Sequence, residues 1–149
     1  MNTVEFLRKI LPHEGLYIAA RLLGTSFRHH VCETIEELAQ QVLAYDAQEV
    51  AAYHACGAYR EKSVDSAPDK DGKTHKQIRV QRNVRSLRSF WFDLDCGEDK
   101  DFASQEAAID ALVAFCNSTQ LPLPMVISSG FGIHCYWVLQ ESVNVDQWR

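Results

Sequence analysis

The sequence has 149 residues, of which 46% are hydrophobic and 23% charged, a composition that suits a globular domain with a substantial core. No apolar run reaches the ~20 residues that a membrane span needs, and the N-terminus lacks the layout of a signal peptide. The five cysteines are odd in number and form no C-x-x-C pair, so we expect reduced thiols packed as small apolar side chains. We therefore expect a soluble, cytoplasmic protein with no membrane partner.

The first half of the chain is predicted to form an N-terminal α/β module, residues 1–75. Gly24-Thr25 separates two apolar runs at the spacing of a hairpin. Thr34 and Glu37 form a capping-box pattern before apolar residues at helical spacing. In chain order the predicted elements are an amphipathic segment at 1–11, a hairpin of 16–23 and 26–31, a helix at 34–45, a buried strand at 50–59 and a polar loop at 65–74.

Charge is distributed unevenly along the chain. The net charge is −5, which alone argues against a nucleic-acid partner, but the stretch from Lys70 to Arg88 has a net charge of +6 and the remainder −11. Such asymmetry is typical of a surface that grips a polyanion, although a solvated edge strand protected against aggregation gives the same pattern. We define the basic strip as Lys76, Arg79, Arg82, Arg85 and Arg88.

The second half, residues 76–149, has a recognisable order of elements. We predict strands at 77–82 and 88–95, a helix at 104–117 with Ser104 as its N-cap and a buried stripe of Ile109, Leu112, Val113 and Cys116, strands at 125–128 and 133–139, and the start of a helix at 144–149. From residue 88 onward this order matches a split β-α-β unit with its last strand missing. We therefore predict an α+β protein with an incomplete RRM-like core, and expect it to be the N-terminal portion of a longer protein.

Two carboxylates end the predicted central strand, Phe90-Trp91-Phe92-Asp93-Leu94-Asp95. Side chains alternate along a strand, so Asp93 and Asp95 face the same way as Trp91, with their Cα atoms about 6.6 Å apart. Two like charges there repel each other and are costly to desolvate, which indicates a divalent cation. The alternative is a strand that ends in a turn, which residues 96–99 also fit.

A glycine-rich turn, residues 129–132, precedes the strand that begins near His134. A lone histidine beside aromatic residues is commonly structural. In the split β-α-β arrangement, however, this strand can lie beside the one that holds the aspartates, so Asp93, Asp95 and His134 can share one face. Backbone N–H groups of the turn and the imidazole N–H are donors that suit a phosphate. The predicted nucleotide-binding residues are Ser129, Gly130, Gly132 and His134.

The two motif regions together carry a family resemblance. The apolar run into Asp93-Leu94-Asp95-Cys96-Gly97, followed by Ser128-Ser129-Gly130-Phe131-Gly132-Ile133-His134-Cys135-Tyr136-Trp137, resembles the primase-polymerases of the archaeo-eukaryotic primase superfamily, particularly the phage and plasmid branch. The Leu-Pro-x-x-Gly segment at 11–15 and the basic stretch before the aspartates are also similar, so the resemblance spans most of the chain.

The resemblance implies template-directed nucleotidyl transfer that starts and extends a primer. The partners would be a single-stranded DNA template, nucleoside triphosphates and, in some arrangements, a helicase domain or protein. Asp93 and Asp95 would hold Mg²⁺ or Mn²⁺ in two-metal chemistry, and His134 would contact the triphosphate of the incoming nucleotide. From charge alone, the basic strip would contact the template or primer backbone.

Two departures from the family pattern affect this interpretation. The strict second motif has serine two residues before the histidine, where this chain has Gly132. A third acidic motif has no convincing match, since Val145-Asp146 follows His134 too closely and lies on a predicted helix. We therefore expect the 149 residues to bind metal or nucleotide weakly and to polymerise little or not at all, while the parent protein is active.

Three other functions fit parts of the sequence. A non-catalytic single-stranded nucleic-acid binder would use the basic strip together with stacking side chains, for which the candidates are Phe90, Trp91, Phe92, Tyr136 and Trp137. A haloacid-dehalogenase-like phosphatase also places Asp-x-Asp after an apolar strand, but Gly97 stands where that family usually has threonine or valine. A manganese-dependent glycosyltransferase would leave His134 and the basic strip unexplained.

Overall fold

The computed structural model describes residues 1–148 and has a mixed α+β fold with antiparallel sheets. It divides into two compact units, the first comprising Met1–Arg88 and the residues from Glu141 onward, the second Ser89–Gln140. Within residues 1–148, none of the helices combines the length and apolar character needed to cross a bilayer.

Within the described residues, four helices and nine strands form the fold. The helices are α1 (Thr3–Ile10), α2 (Ile35–Asp46), α3 (Gln105–Thr119) and α4 (Val145–Trp148). The strands are β1 (Tyr17–Leu23), β2 (Ser26–Cys32), β3 (Ala52–His54), β4 (Gly57–Tyr59), β5 (Val64–Asp65), β6 (Lys76–Gln77), β7 (Val84–Asp95), β8 (Met125–Ser128) and β9 (Gly132–Val143). The sheets have the strand orders β2-β1-β3, β5-β6 and β4-β7-β9-β8, the last forming a curled half-barrel.

The predicted hairpin and the predicted helix after it are confirmed in the first unit. β1 and β2 pair from Tyr17↔Cys32 to Leu23↔Ser26, and Gly24 takes the positive φ of +59° that the tight turn requires. Thr34 caps α2 by accepting a hydrogen bond from the Glu37 N–H at 3.1 Å. Both α1 and α2 bury an apolar face in this unit, formed by Leu7, Ile10, Ile35, Leu38 and Ala39.

The single strand predicted at 50–59 is wrong, because the segment contributes to two sheets. β3 pairs with β1, whereas β4 pairs with β7 through Gly57↔Leu87 and Ala58↔Ser86. A Cβ at Gly57 would lie 3.3 Å from the Ser86 carbonyl oxygen, so the glycine permits the close approach of β4 to β7.

The strand predicted at 77–82 is also wrong for most of its length. Only Gln77 of that range lies in a strand, in the short β5–β6 ladder, and Gln81–Asn83 is a 3₁₀ turn. The buried Asn83 amide explains the difference. Its Oδ1 accepts from the Glu61 N–H at 3.0 Å, and its Nδ2 donates to the Glu61 carbonyl at 2.9 Å and the Ile78 carbonyl at 3.0 Å. The Asn83 side chain thus satisfies backbone groups that would otherwise need partners in a β-ladder.

The second unit packs α3 on the sheet, and the predicted order of strand, helix, strand, strand is confirmed. Ser104 caps α3 by accepting from the Ala107 N–H at 3.3 Å. The predicted stripe on α3 is wrong at Ile109 and Val113, which are exposed. Residues spaced by four are buried instead and pack with two residues of β9, forming the cluster Ala108, Leu112, Cys116, Ile133 and Cys135.

Candidate metal and nucleotide site

The faces of β7 are assigned by the side chains that pack beneath α3. Leu94 packs against the α3 cluster, and Phe92 lies 6.0 Å, between ring centroids, from Phe115 of α3. Because side chains alternate along a strand, Asp93 and Asp95 project from the opposite face. Their side chains are 63% and 62% exposed. The two carboxylates are therefore open to solvent and accessible to a ligand.

His134 lies beside Asp93 on the adjacent strand β9. The imidazole Nε2 is 3.4 Å from Asp93 Oδ1, an ion pair when the ring is protonated. The ring also makes an edge contact with Tyr136, with 6.4 Å between the centroids. On either side of His134, Ile133 and Cys135 are buried beneath α3, as strand alternation requires. The structure thus brings together Asp93 and His134, two of the residues singled out from the sequence.

Cys135 is close to the site but has no catalytic thiolate. Its side chain is buried, and burial raises the pKa of the thiol to about 11, with nearby Cys116 and then Asp93 adding to the increase. The thiol is therefore protonated at neutral pH. Cys135 serves as a small apolar residue beneath the sheet, as the sequence predicted for the cysteines.

Lys100 pairs with the second carboxylate, and sequence reasoning missed it. Its Nζ lies 3.2 Å from Asp95 Oδ2. The turn after β7 returns the chain to this position, since Gly97 has a φ of +147° and its N–H donates to the Phe102 carbonyl at 2.9 Å. The available signal was a lysine shortly after the aspartate, across a glycine turn. Each of the two aspartates therefore has a basic side chain as a neighbour.

The exposed carboxylates fit Mg²⁺ or Mn²⁺ in the type of donor, but the structure does not provide a complete cage. Hard oxygen donors suit both ions, and Mg²⁺ is commonly held by one or two carboxylates together with waters and substrate phosphates. Among residues 1–148, the one group of three potential ligands whose atoms all lie within 4.8 Å of one another is elsewhere, at His30, Cys32 and Glu37. A metal ion would compete with His134 for the carboxylate of Asp93 and with Lys100 for the carboxylate of Asp95.

The glycine-rich turn is held by Gln105, the first residue of α3. Gln105 Nε2 donates to Ser128 Oγ at 3.0 Å and to the Gly130 carbonyl at 3.2 Å. The Ser129 N–H donates to the Gly132 carbonyl at 2.9 Å, and the Gly130 N–H to Ser128 Oγ at 3.4 Å. These two N–H groups are therefore engaged within the turn and would have to be released to bind a phosphate. No sequence pattern pointed to Gln105.

Gly132 is required by a close backbone approach between the turn and β7. A Cβ at this position would lie 2.3 Å from the Leu94 carbonyl oxygen, too close for any other residue without a shift of backbone. The next contact, from the Cys96 N–H to the Phe131 carbonyl at 2.9 Å, ties the end of β7 to the same turn. This close approach of the backbone requires glycine at position 132.

The basic strip belongs to the first unit, and most of its side chains are engaged locally. Lys76 pairs with Asp65 at 2.9 Å and Arg85 with Glu14 at 2.7 Å. Arg82 donates to the Asp65 carbonyl and to Gln77 Oε1, and Arg88 donates to the Arg8 carbonyl and contacts His13. Arg79 is exposed and hydrogen-bonds Tyr59. The strip is therefore partly committed to holding loops of this unit.

Asp146, the weak candidate for a third acidic residue, is in the first turn of α4 and belongs to the first unit. Asp93, Asp95 and His134 belong to the second unit.

Comparisons of the chain with models of known protein families, with curated protein sequences and with solved structures gave no match.

Proposed function

We propose that this chain carries the catalytic residues of a primase-polymerase, an enzyme that transfers nucleotides on a single-stranded DNA template, with Asp93 and Asp95 holding Mg²⁺ or Mn²⁺. The observation that carries the proposal is the 3.4 Å contact between His134 and Asp93 beside an exposed second carboxylate. A carboxylate pair next to a histidine suits a metal-bound triphosphate. The carboxylates would coordinate the metal ion, and the imidazole would donate a hydrogen bond to a phosphate oxygen.

The arrangement of strands supports an RRM-like core for this activity. The elements β7, α3, β8, β9 and α4 follow the order of a split β-α-β unit, and β7 lies between β4 and β9 in the sheet. The carboxylates of β7 and the imidazole of β9 thus lie on adjacent strands of one sheet.

The residues of this site would bind and orient the metal ion and the triphosphate of the incoming nucleotide. When bound, a divalent ion supplies positive charge that activates the attacking 3′-hydroxyl and stabilises the leaving pyrophosphate. Asp93 and Asp95 would orient this charge through their exposed oxygens. His134 would exchange its contact with Asp93 for a phosphate oxygen, and Lys100 would leave Asp95 to neutralise the same triphosphate. Gln105 would hold the glycine-rich turn in its position beside the end of β7.

Template contact is proposed for the basic strip on the ground of its charge. Within the described residues, Arg79, Arg82 and Arg88 are not paired with a carboxylate, so their charge is less neutralised than that of Lys76 or Arg85. Phosphate contacts of this kind make binding strongly dependent on salt. We therefore expect these three arginines to dominate any contact of the strip with the template backbone.

The proposal is tested by primer synthesis on single-stranded DNA by the parent-length protein that contains this chain, with Mn²⁺ or Mg²⁺ and either ribo- or deoxyribonucleoside triphosphates. Asp93→Asn and Asp95→Asn should each lower incorporation by at least about 100-fold, since even second-shell losses cost metal sites 10–100-fold. Asp99→Asn, in the turn after the same strand, is the matched control and should retain activity. Incorporation that survives both substitutions would show the metal assignment to be wrong.

A non-catalytic protein that binds single-stranded nucleic acid is the second candidate, favoured by the exposed aromatic side chains of the second unit. Trp91 is 39% exposed and Phe131 is 88% exposed. Stacking of a base on such a ring contributes about 1–3 kcal/mol. Binding of single-stranded DNA that needs Trp91, persists in Asp93→Asn with a chelator present and is never accompanied by synthesis would favour this function.

A further inference from the structure

We infer that His30, Cys32 and Glu37 form a Zn²⁺ site at the junction of β2 and α2, in the first unit. One potential ligand atom from each residue lies within 4.8 Å of the other two. His30 Nε2 and Glu37 Oε1 are 3.8 Å apart. The site is separate from the proposed function, because its residues belong to the other compact unit.

The backbone places the three side chains together. His30 and Cys32 are two residues apart on β2 and therefore face the same way. The hairpin holds this end of β2 in register through Ala19↔His30 and Tyr17↔Cys32. Two residues later Thr34 caps α2, which brings Glu37 into the first turn of the helix. A hairpin end and a helix start thus converge on one point.

The carboxylate of Glu37 is oriented for a ligand role. Its Oε2 accepts a hydrogen bond from the Glu33 N–H at 2.7 Å, which directs Oε1 toward His30. Hydrogen bonds of this kind to a ligating group fix its orientation in metal sites. The orientation of Glu37 therefore depends on the backbone that joins β2 to α2, and not on a flexible surface side chain alone.

The donor set is that of zinc and not of magnesium. A thiolate, an imidazole and a carboxylate suit Zn²⁺, whereas Mg²⁺ prefers oxygen alone. Zn²⁺ with bond lengths of about 2.0–2.3 Å holds its tetrahedral ligands about 3.3–3.5 Å apart. The three side chains therefore need to close by no more than about 1.5 Å. Binding would form the Zn–S bond and release the proton of the Cys32 thiol to solvent.

Exposure leaves room for a fourth ligand. Cys32 is fully buried, whereas the His30 and Glu37 side chains are 46% and 43% exposed. The metal would therefore sit between the core and solvent, with water completing the tetrahedron. With three protein ligands, the metal would stabilise the junction of β2 and α2. Because the water is exchangeable, an anion or a small oxygen ligand could take its place.

Cobalt titration of the metal-free chain tests the site. Co²⁺ should bind as one equivalent and give both a sulfur-to-metal charge-transfer band and the visible bands of tetrahedral geometry, and Zn²⁺ should displace it stoichiometrically. Zn²⁺ should also raise the melting temperature, because it binds the folded state. A chain that gives no charge-transfer band, or octahedral spectra only, would overturn the inference.

Substitutions identify the ligands. His30→Ala should weaken binding by at least about tenfold, and its exposed position keeps the fold intact. His29→Ala, the neighbouring exposed histidine on β2, should leave binding unchanged. Cys32→Ser should abolish the charge-transfer band, while Cys56→Ser should retain it. Equal spectra and affinities for His30→Ala and the wild type would show that His30 is not a ligand and would overturn the three-residue site. Asp93→Asn should not alter the spectra, which separates this site from the proposed catalytic one.

Discussion

His134 on β9 reaches Asp93 on β7, with 3.4 Å between Nε2 and Oδ1. Two residues before His134, β9 begins at Gly132, whose missing Cβ lets the turn close against the Leu94 carbonyl. This close approach holds the start of β9 against the end of β7, where both carboxylates lie. The register of these two strands is the structural basis of the candidate site.

The stability contributed by this pair should be small. A double-mutant cycle of Asp93→Asn and His134→Ala should give a coupling free energy of about 0.2–1 kcal/mol, because both side chains are more than a third exposed. Urea unfolding of the four proteins measures it. A coupling above about 2 kcal/mol would contradict the exposed pair and indicate a desolvated network.

Lys100→Met should strengthen binding of Mn²⁺, because Lys100 holds Asp95 at 3.2 Å and competes with the metal. An exposed ion pair contributes about 0.2–1 kcal/mol, so the dissociation constant should fall by about 1.4- to 5-fold. Electron paramagnetic resonance of free Mn²⁺ measures the affinity. The control is Lys62→Met, which removes the pair with Glu33 in the first unit and should change nothing. Weaker binding by Lys100→Met would refute competition.

Gly132→Ala should destabilise the protein by about 1–3 kcal/mol, the usual cost of forcing extra atoms into a packed position. Its Cβ would lie 2.3 Å from the Leu94 carbonyl oxygen, so backbone must move. The matched control is Gly57→Ala, whose nearest atom would be at 3.3 Å and whose loss should be smaller. Denaturant midpoints compare the two variants, and equal losses would be evidence against the close approach.

Asn83→Ala should lower the free energy of unfolding by at least about 2 kcal/mol, since each buried group left without a partner costs about 1–3 kcal/mol. The amide binds backbone groups of Glu61 and Ile78. Asn117→Ala, on the exposed side of α3, is the control and should change stability by less than about 0.5 kcal/mol. If the two substitutions have equal effects, Asn83 does not organise these loops.

Local patterns predicted much of the fold. The cap at Thr34, the turn at Gly24 and the cap at Ser104 depend on residues within a few positions, so the sequence alone located α2, the β1–β2 hairpin and α3. Strand alternation also oriented Asp93 and Asp95 before the sheet was known, because a period of two needs no partner strand. The same local reasoning failed at 50–59, where the partners of β3 and β4 belong to different sheets.

The order of the residues already specifies the chemical groups of the candidate site: two carboxylates at one strand end, a histidine after a glycine-rich turn, and a cluster of positive charge. Which of these groups meet follows from the folding of the chain. Lys100 faces Asp95, Gln105 holds the turn, and Cys32 joins His30 and Glu37. These contacts follow from strand register, loop closure and helix docking, which depend on the packing of the folded chain and leave at most a weak local signature in the order of its residues.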